Sequence, residues 1–393
     1  MSTELFLQAG LAIAASFIIT FAATPIVKSF AQRVGALDVP KDGRRMHSVP
    51  IPRLGGLAIF LGFLLSVVLF ADIDRYVQGI LLGSVVIVIV GVIDDIMPLP
   101  ALVKFVVQIF AALIAVYHGI IINIVTNPNI WSASEYFNFG FMAIPVTVLW
   151  IVAITNSVNL IDGLDGLAAG VSAISSLTML IIAVLVADVN VALMMAALFG
   201  SCVGFLPYNK NPAKIFMGDT GALLLGYVLA TVSIIGLFKF YAIISFAVPF
   251  LVVGLPLFDT TFAFMRRLFS GRNPMSPDRG HFHHRLIDIG FSQKQAVAIA
   301  YAISGILGLS AVVITTKGEI RAIIMLASLV VAAVIGLIVL KSVGKDVPAD
   351  SPEDLEQKPT APDETPTEPS QCDGKEDTPK ETAAKKPEEN DER

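Results

Sequence analysis

Residues 156–170 read NSVNLIDGLDGLAAG. Asn156, Asn159, Asp162 and Asp165 recur at every third position in otherwise apolar surroundings. Steps of three drift by about 60° each on an α-helix, so Asn156 and Asp165 would face opposite ways on a continuous one. They converge only where the helix ends, and Gly163 and Gly166 supply an ending. The expected arrangement has Asn156 and Asn159 on the last turn of one helix, with Asp162 and Asp165 on a Gly-rich turn opening the next. Asp165 could equally serve there as an N-cap. Amides and carboxylates around a turn suit recognition of a polar head: ribose hydroxyls, a base edge or a metal's water shell.

Four further clusters carry chemistry. Asp94 and Asp95 close an apolar run. Being adjacent, they point about 100° apart on a helix and would take different roles. Carboxylates are unfavourable at a helix C-terminus, which argues against a merely solvated end. The DDxxD diphosphate motif is absent, because Pro98 holds its last position. Asp219 lies in FMGDTG, where Gly218 and Gly221 would let a phosphate approach the backbone, so a metal ligand is favoured over a plain N-cap. His281, His283 and His284 fall within HFHHR, beside Arg279 and Arg285. No cysteine or HExxH spacing accompanies them, so anion binding, or simply a basic loop, is expected rather than zinc. The first loop, RRMHSVPIPRLGG, adds His47 and Arg53. Asp259 stands alone in an apolar run, as a functional carboxylate or as the partner of a Lys or Arg. There is no activated Ser or Cys, and Cys202 and Cys372 read as bystanders. Carboxylates with Arg and His at Gly-rich turns suit a hard cation such as Mg²⁺ and phosphoryl transfer from a diphosphate to a lipid acceptor.

The elements that must position these residues are apolar helices. Hydrophobic residues make up 55% of the 393, with a mean hydropathy of +0.76, above the share usual in soluble domains. The excess is concentrated in uncharged runs, which predicts an all-α polytopic integral membrane protein with 10–11 transmembrane helices. The candidate spans are 5–27, 54–71, 78–93, 101–118, 141–159, 166–187, 191–207, 220–236, 241–265, 295–315 and 321–340. The first lacks a basic n-region and a cleavage site and reads as a retained span. One set of loops holds sixteen Lys and Arg; the other holds only Arg75, Lys239, Lys317 and Arg321. The basic set should be cytoplasmic, with the N-terminus outside and the C-terminus inside. Every chemistry-bearing cluster then lands on the cytoplasmic face, which implies one site. Residues 1–345 form the membrane domain. Residues 346–393 carry 16 acidic and 6 basic residues with few aliphatics and read as a disordered acidic tail. Loop 119–140 has no Lys or Arg and could form a small external hairpin.

Asp94-Asp95, NSVNLIDGLDGLA, FMGDTGALLLG and HFHHRL in this order, with RRMHSVPIPRLGG before them, resemble the polyprenyl-phosphate N-acetylhexosamine-1-phosphate transferases of glycosyltransferase family 4. The resemblance implies a Mg²⁺-dependent enzyme, with Mn²⁺ as a substitute ion. Its substrates are a UDP-N-acetylhexosamine and undecaprenyl or a related polyprenyl phosphate; its products are the lipid diphosphate sugar and UMP. It implies Asp219 as the direct metal ligand, and Asp94 and Asp95 as the essential pair, one acting on the lipid phosphate and the other supporting the metal. It places Asn159, Asp162, Asp165 and Phe216 at the nucleotide, and His281, His283 and His284 at the diphosphate or sugar. The histidine run, IDIGFSQKQAV, His47 and Arg53 are similar to the UDP-GlcNAc branch, which starts teichoic acid, lipopolysaccharide O-antigen or related envelope polymers. The alternative branch is the phospho-MurNAc-pentapeptide translocase. A carboxylate-based secondary transporter is the reading from another class, but no internal repeat is visible. The bilayer is an expected partner, nucleic acid is not, and the chain could pair as a homodimer.

Overall fold

The computed structural model describes residues 3–39, 49–126, 136–186, 188–236, 247–269 and 281–316. It is a bundle of apolar helices with two minimal β-hairpins. α1 (Thr3–Arg33) leads through β1 (Leu37–Asp38) and β2 (Ile51–Pro52) to α2 (Gly55–Phe70), α3 (Arg75–Ile96) and α4 (Ala101–Tyr117). β3 (Ile124–Thr126) and β4 (Tyr136–Asn138) pair antiparallel within the loop expected to hold a hairpin. Then follow α5 (Ala143–Ile161), α6 (Leu167–Val186), α7 (Val189–Asn209), α8 (Gly218–Gly236), α9 (Ala247–Val252), α10 (Gly254–Phe269), α11 (Phe282–Asp288) and α12 (Gln293–Thr316).

Among the described residues, seven helices are long and apolar enough to cross a membrane; α2 and α4 are shorter apolar helices. The protein is all-α and polytopic, as the sequence predicts. The short run 78–93 is lengthened at both ends into α3, whose start Asp74 caps by accepting from the Val77 amide. The run 241–265 is not one helix where it is described. It breaks at Val253 between α9 and α10, and Pro256 sits in the first turn of α10, where a missing N–H is tolerated. The span 321–340 and the tail from 346 lie outside the described residues.

The bundle is organised around α8. Within its apolar window 89% of residues are buried, against 28% for α1. A helix apolar all round is suited to such an axis, whereas α1 turns Phe6, Leu7 and Ile18 outward toward lipid. α8 packs on α2, α3, α5 and α6, and its first turn meets the start of α2 and the ends of α3 and α5. Polar atoms inside the bundle find partners across helices. Trp150 Nε1 donates to Ser233 Oγ at 3.0 Å. The buried Tyr227 hydroxyl, on α8, lies 3.3 Å from both the Gly79 and the Ala111 carbonyl oxygens, joining α3 and α4. Tyr227→Phe should therefore lower the thermal midpoint of the purified protein through a loss of about 1 kcal/mol, read in a melting curve.

Candidate functional site

Asp94 and Asp95 divide as their adjacency predicts. Asp95 points at the N-terminus of α8. It accepts from the Asp219 amide (3.0 Å), the Thr220 amide (3.1 Å) and the Thr220 hydroxyl (2.7 Å), satisfying donors that a helix start leaves free. Arg53 Nε lies 3.3 Å from its Oδ1, an ion pair without an aligned hydrogen bond. Gly218 is required at this junction: its φ is +68°, and a Cβ there would collide with the Asp95 carboxylate. Asp94 turns the other way, accepting from the Leu99 amide at 2.7 Å and from Lys104 Nζ at 3.2 Å. The Lys104 ammonium also reaches Asp219 Oδ2 at 2.7 Å, and Asn159 Nδ2 donates to Asp219 Oδ1 at 3.2 Å. Oxygens of Asp94, Asp95 and Asp219 lie within 4.8 Å of one another. Like charges at that distance repel by about 3 kcal/mol per pair at an effective dielectric of 20. Lys104 and Arg53 offset part of that. The remaining negative charge and the all-oxygen donor set fit a hard divalent cation.

Asp95, Asp219, Asn159 and Arg53 open into a cavity of about 570 Å³, whereas Asp94 and Lys104 stand behind its wall and do not line it. Arg53, Asp95, Asn159, Asp162, Asp165, Phe216, Asp219 and His284, all singled out in the sequence, line it. Backbone pairing delivers two of them. The Phe216 amide donates to the Pro52 carbonyl (2.8 Å) and the Gly55 amide to the Phe216 carbonyl (2.9 Å), zipping PRLGG onto FMG. The polar ladder resolves as expected: α5 ends at Ile161, residues 162–166 turn, and α6 begins at Leu167. Burial pushes the Asp162 carboxyl up to about 8, with Asp219, Asp95 and Asp165 adding repulsion.

Asn156 does not reach the cavity. It is still helical, so the three-residue drift turns it toward α4, where its Nδ2 bonds the Gln108 side chain and the Val152 carbonyl (2.8 Å). Asp165 lines the cavity but spends Oδ2 on the Asn211 side chain and the Ala213 amide, both at 3.0 Å. It thereby ties the turn to the α7–α8 loop. Asn209 does the same, accepting from the Gly166 amide at 3.1 Å and donating to the Ile215 carbonyl at 3.1 Å. Tyr301 of α12 donates to the Gly166 carbonyl at 2.6 Å. His47 and Arg279 lie outside the described residues.

The three histidines separate as well. Only His284 lines the cavity. His281 Nδ1 lies 3.0 Å from Asp259 Oδ2. His283 is buried between its neighbours, its ring centroid 5.9 Å from that of His281 and 4.3 Å from that of His284. Among the described residues, neither of its ring nitrogens has a hydrogen-bond partner. Burial pushes it down to about 4, reinforced by His284, so it is neutral at pH 7. A Cβ on Gly163 would strike His283 Nε2, so the Gly-rich turn and the histidine stack are fitted to each other.

With this geometry, the likeness to known proteins is informative. The family model for glycosyl transferase family 4 matches residues 77–237. The chain is 38% identical to the probable undecaprenyl-phosphate N-acetylglucosaminyl 1-phosphate transferase of Bacillus subtilis, over 80% of this chain and 87% of that one. It is 36% identical to the decaprenyl-phosphate N-acetylglucosaminephosphotransferase of Mycobacterium tuberculosis, over 84% and 88%. The phospho-N-acetylmuramoyl-pentapeptide-transferase of Staphylococcus aureus is 30% identical, over 75% and 96%. The chain belongs to glycosyl transferase family 4.

Several residues of this family 4 site escape a reading by motif. Lys104 is the single lysine inside the predicted spans, a signal that was there to use. Gln108, Asn209, Asn211 and Tyr301 act through partners 43 or more residues away, which spacing alone cannot reveal.

Two predictions follow from the turn. Gly163→Ala should displace His283 and cut turnover about 10- to 100-fold with little change in expression, measured as the rate of UMP release. Asp162 keeps its proton to about pH 8 when folded but loses it near 3.8 when unfolded. Between those values the folded state binds more protons, so stability falls as pH rises from about 4 to 8. Asp162→Asn, a mimic of the neutral acid, should flatten that slope in melts with chelator present, its advantage largest on the alkaline side.

Proposed function

We propose that this protein transfers N-acetylglucosamine 1-phosphate from UDP-GlcNAc to a polyprenyl phosphate, releasing UMP and starting an envelope polymer. One observation carries the reading. In a chain 36–38% identical to transferases of that name, Asp95 and Asp219 of the Asp94–Asp95–Asp219 cluster line a cavity bordered by Arg53 and a polar turn. A volume of about 570 Å³ is within the range of small-molecule sites and suits a nucleotide sugar. The positive-inside count supports a cavity at the cytoplasmic face.

The reaction forms a bond from a lipid phosphate oxygen to the β-phosphorus of UDP-GlcNAc and breaks the bridge to the α-phosphate, so UMP leaves. The lipid phosphate is already anionic at neutral pH, so no strong base is required. The obstacle is the approach of two anions. When bound, Mg²⁺ would supply positive charge to the diphosphate, and Asp219 and Asp95, the two carboxylates of the cluster that line the cavity, would hold it, Asp95 also fixing the Asp219 backbone. Arg53, which lines the cavity, would neutralise phosphate charge, while Lys104 offsets the charge of Asp94 and Asp219. Asn159 orients the Asp219 carboxylate, Asp162 and Phe216 border the nucleotide, and His284 faces the diphosphate or sugar.

The test incubates the purified protein with tritiated UDP-GlcNAc, undecaprenyl phosphate and Mg²⁺, followed by counting of the lipid phase. Label should enter that phase, stop on chelation, and return with Mg²⁺ or Mn²⁺. Asp219→Asn should lower the rate on the order of 10³-fold. Normal turnover of that variant would refute the metal assignment. Efficient use of UDP-MurNAc-pentapeptide in place of UDP-GlcNAc would shift the chain to the other branch.

A further inference from the structure

Asp259 is a buried carboxylate on α10 that the reaction as described leaves unused. Among the described residues its partners belong to the histidine segment and not to a Lys or Arg. Its Oδ1 accepts from the Phe282 amide at 2.7 Å, and its Oδ2 lies 3.0 Å from His281 Nδ1. α11 is seven residues long, too short to hold itself helical, and His281 at its N-cap makes no side-chain cap of its own. The cap is supplied by another helix. One turn further along both helices, the Arg285 guanidinium lies over the Phe262 ring at 5.7 Å from its centroid. α11 is thus pinned to α10 at two successive levels. From that anchor the His281 and His283 rings stack at 12°, and His284, tilted 43° to His283 with centroids 4.3 Å apart, reaches the cavity.

We propose that Asp259 is a positioning residue for the transfer reaction: by gripping His281 and the first turn of α11, it sets where His284 stands in the donor cavity. The grip also selects a tautomer. A carboxylate facing Nδ1 keeps the proton there and leaves Nε2 as the acceptor on His281. The two unpartnered nitrogens of His283 give the middle of the stack no polar tether, so its place depends on the ends. Asp259 holds one end, and the Gly163 backbone closes the side.

The proposal rests on the transferase reading, and the experiment separates the two. Unmutated protein that moves no label from UDP-GlcNAc into lipid sinks the reading of function itself. Given activity, Asp259→Asn should raise the KM for UDP-GlcNAc and lower kcat/KM about 10- to 100-fold, with the KM for polyprenyl phosphate unchanged. The same change made in a His281→Ala background should cost less than twofold more, because both act through one contact. Losses that multiply, or an unchanged donor KM, overturn the proposal. A second measurement does not depend on how the variant folds. In ¹⁵N-histidine spectra of the unmutated protein, the signal absent from His281→Ala should have the Nδ1–H pattern; an Nε2–H pattern overturns the proposal.

Discussion

Three carboxylates crowded at the end of an apolar bundle are the constraint around which this protein is built. Asp94, Asp95 and Asp219 bring oxygens within 4.8 Å of one another, and nothing in a bundle of Leu, Ile, Val and Ala can stabilise that charge. The structure answers with groups drawn from separate elements: Lys104 from α4, Arg53 from the first loop, Asn159 from α5 and the free amides at the start of α8. Each is held by packing that is ordinary for helices. Together they leave a site that is still electron-rich and therefore receptive to a cation and a diphosphate.

The backbone carries much of the assembly. Pro52 and Phe216 pair through main-chain atoms, so Arg53 reaches the cavity without a helix to hold it. Asp165, Asn209 and Tyr301 spend their polar groups on the 162–166 turn and the loop before α8. These residues are polar for the sake of the turn that carries Asp162 rather than for a ligand. A polar residue at a membrane face can thus serve one step back from the chemistry, and Asn156, which bonds Gln108, is the clearest instance.

The histidines show how far a motif can be read. Their grouping marks a functional segment, and their residue types are right for an anion. The sequence treats the three as equivalent, whereas the structure makes one an anchor, one a buried neutral spacer and one a wall of the cavity. Successive side chains on a short helix are separated by about 100°, so adjacent residues cannot share an environment. The same rule, applied to Asp94 and Asp95, does anticipate their different partners.

The sequence by itself determined the class of molecule and, the broken run 241–265 apart, the helical spans that are described, because long apolar runs are a property of residue type. It also anticipated the break after Ile161, since Gly and the drift of a three-residue spacing are local facts. Only the tertiary structure decided which of the polar groups line the cavity. That choice depends on α3, α4, α5 and α8 packing together, on Lys104 reaching Asp219 across 115 positions of chain, and on Asp259 capping a helix 23 residues away. Such contacts are set by the packing of faces against faces, and no local pattern encodes them.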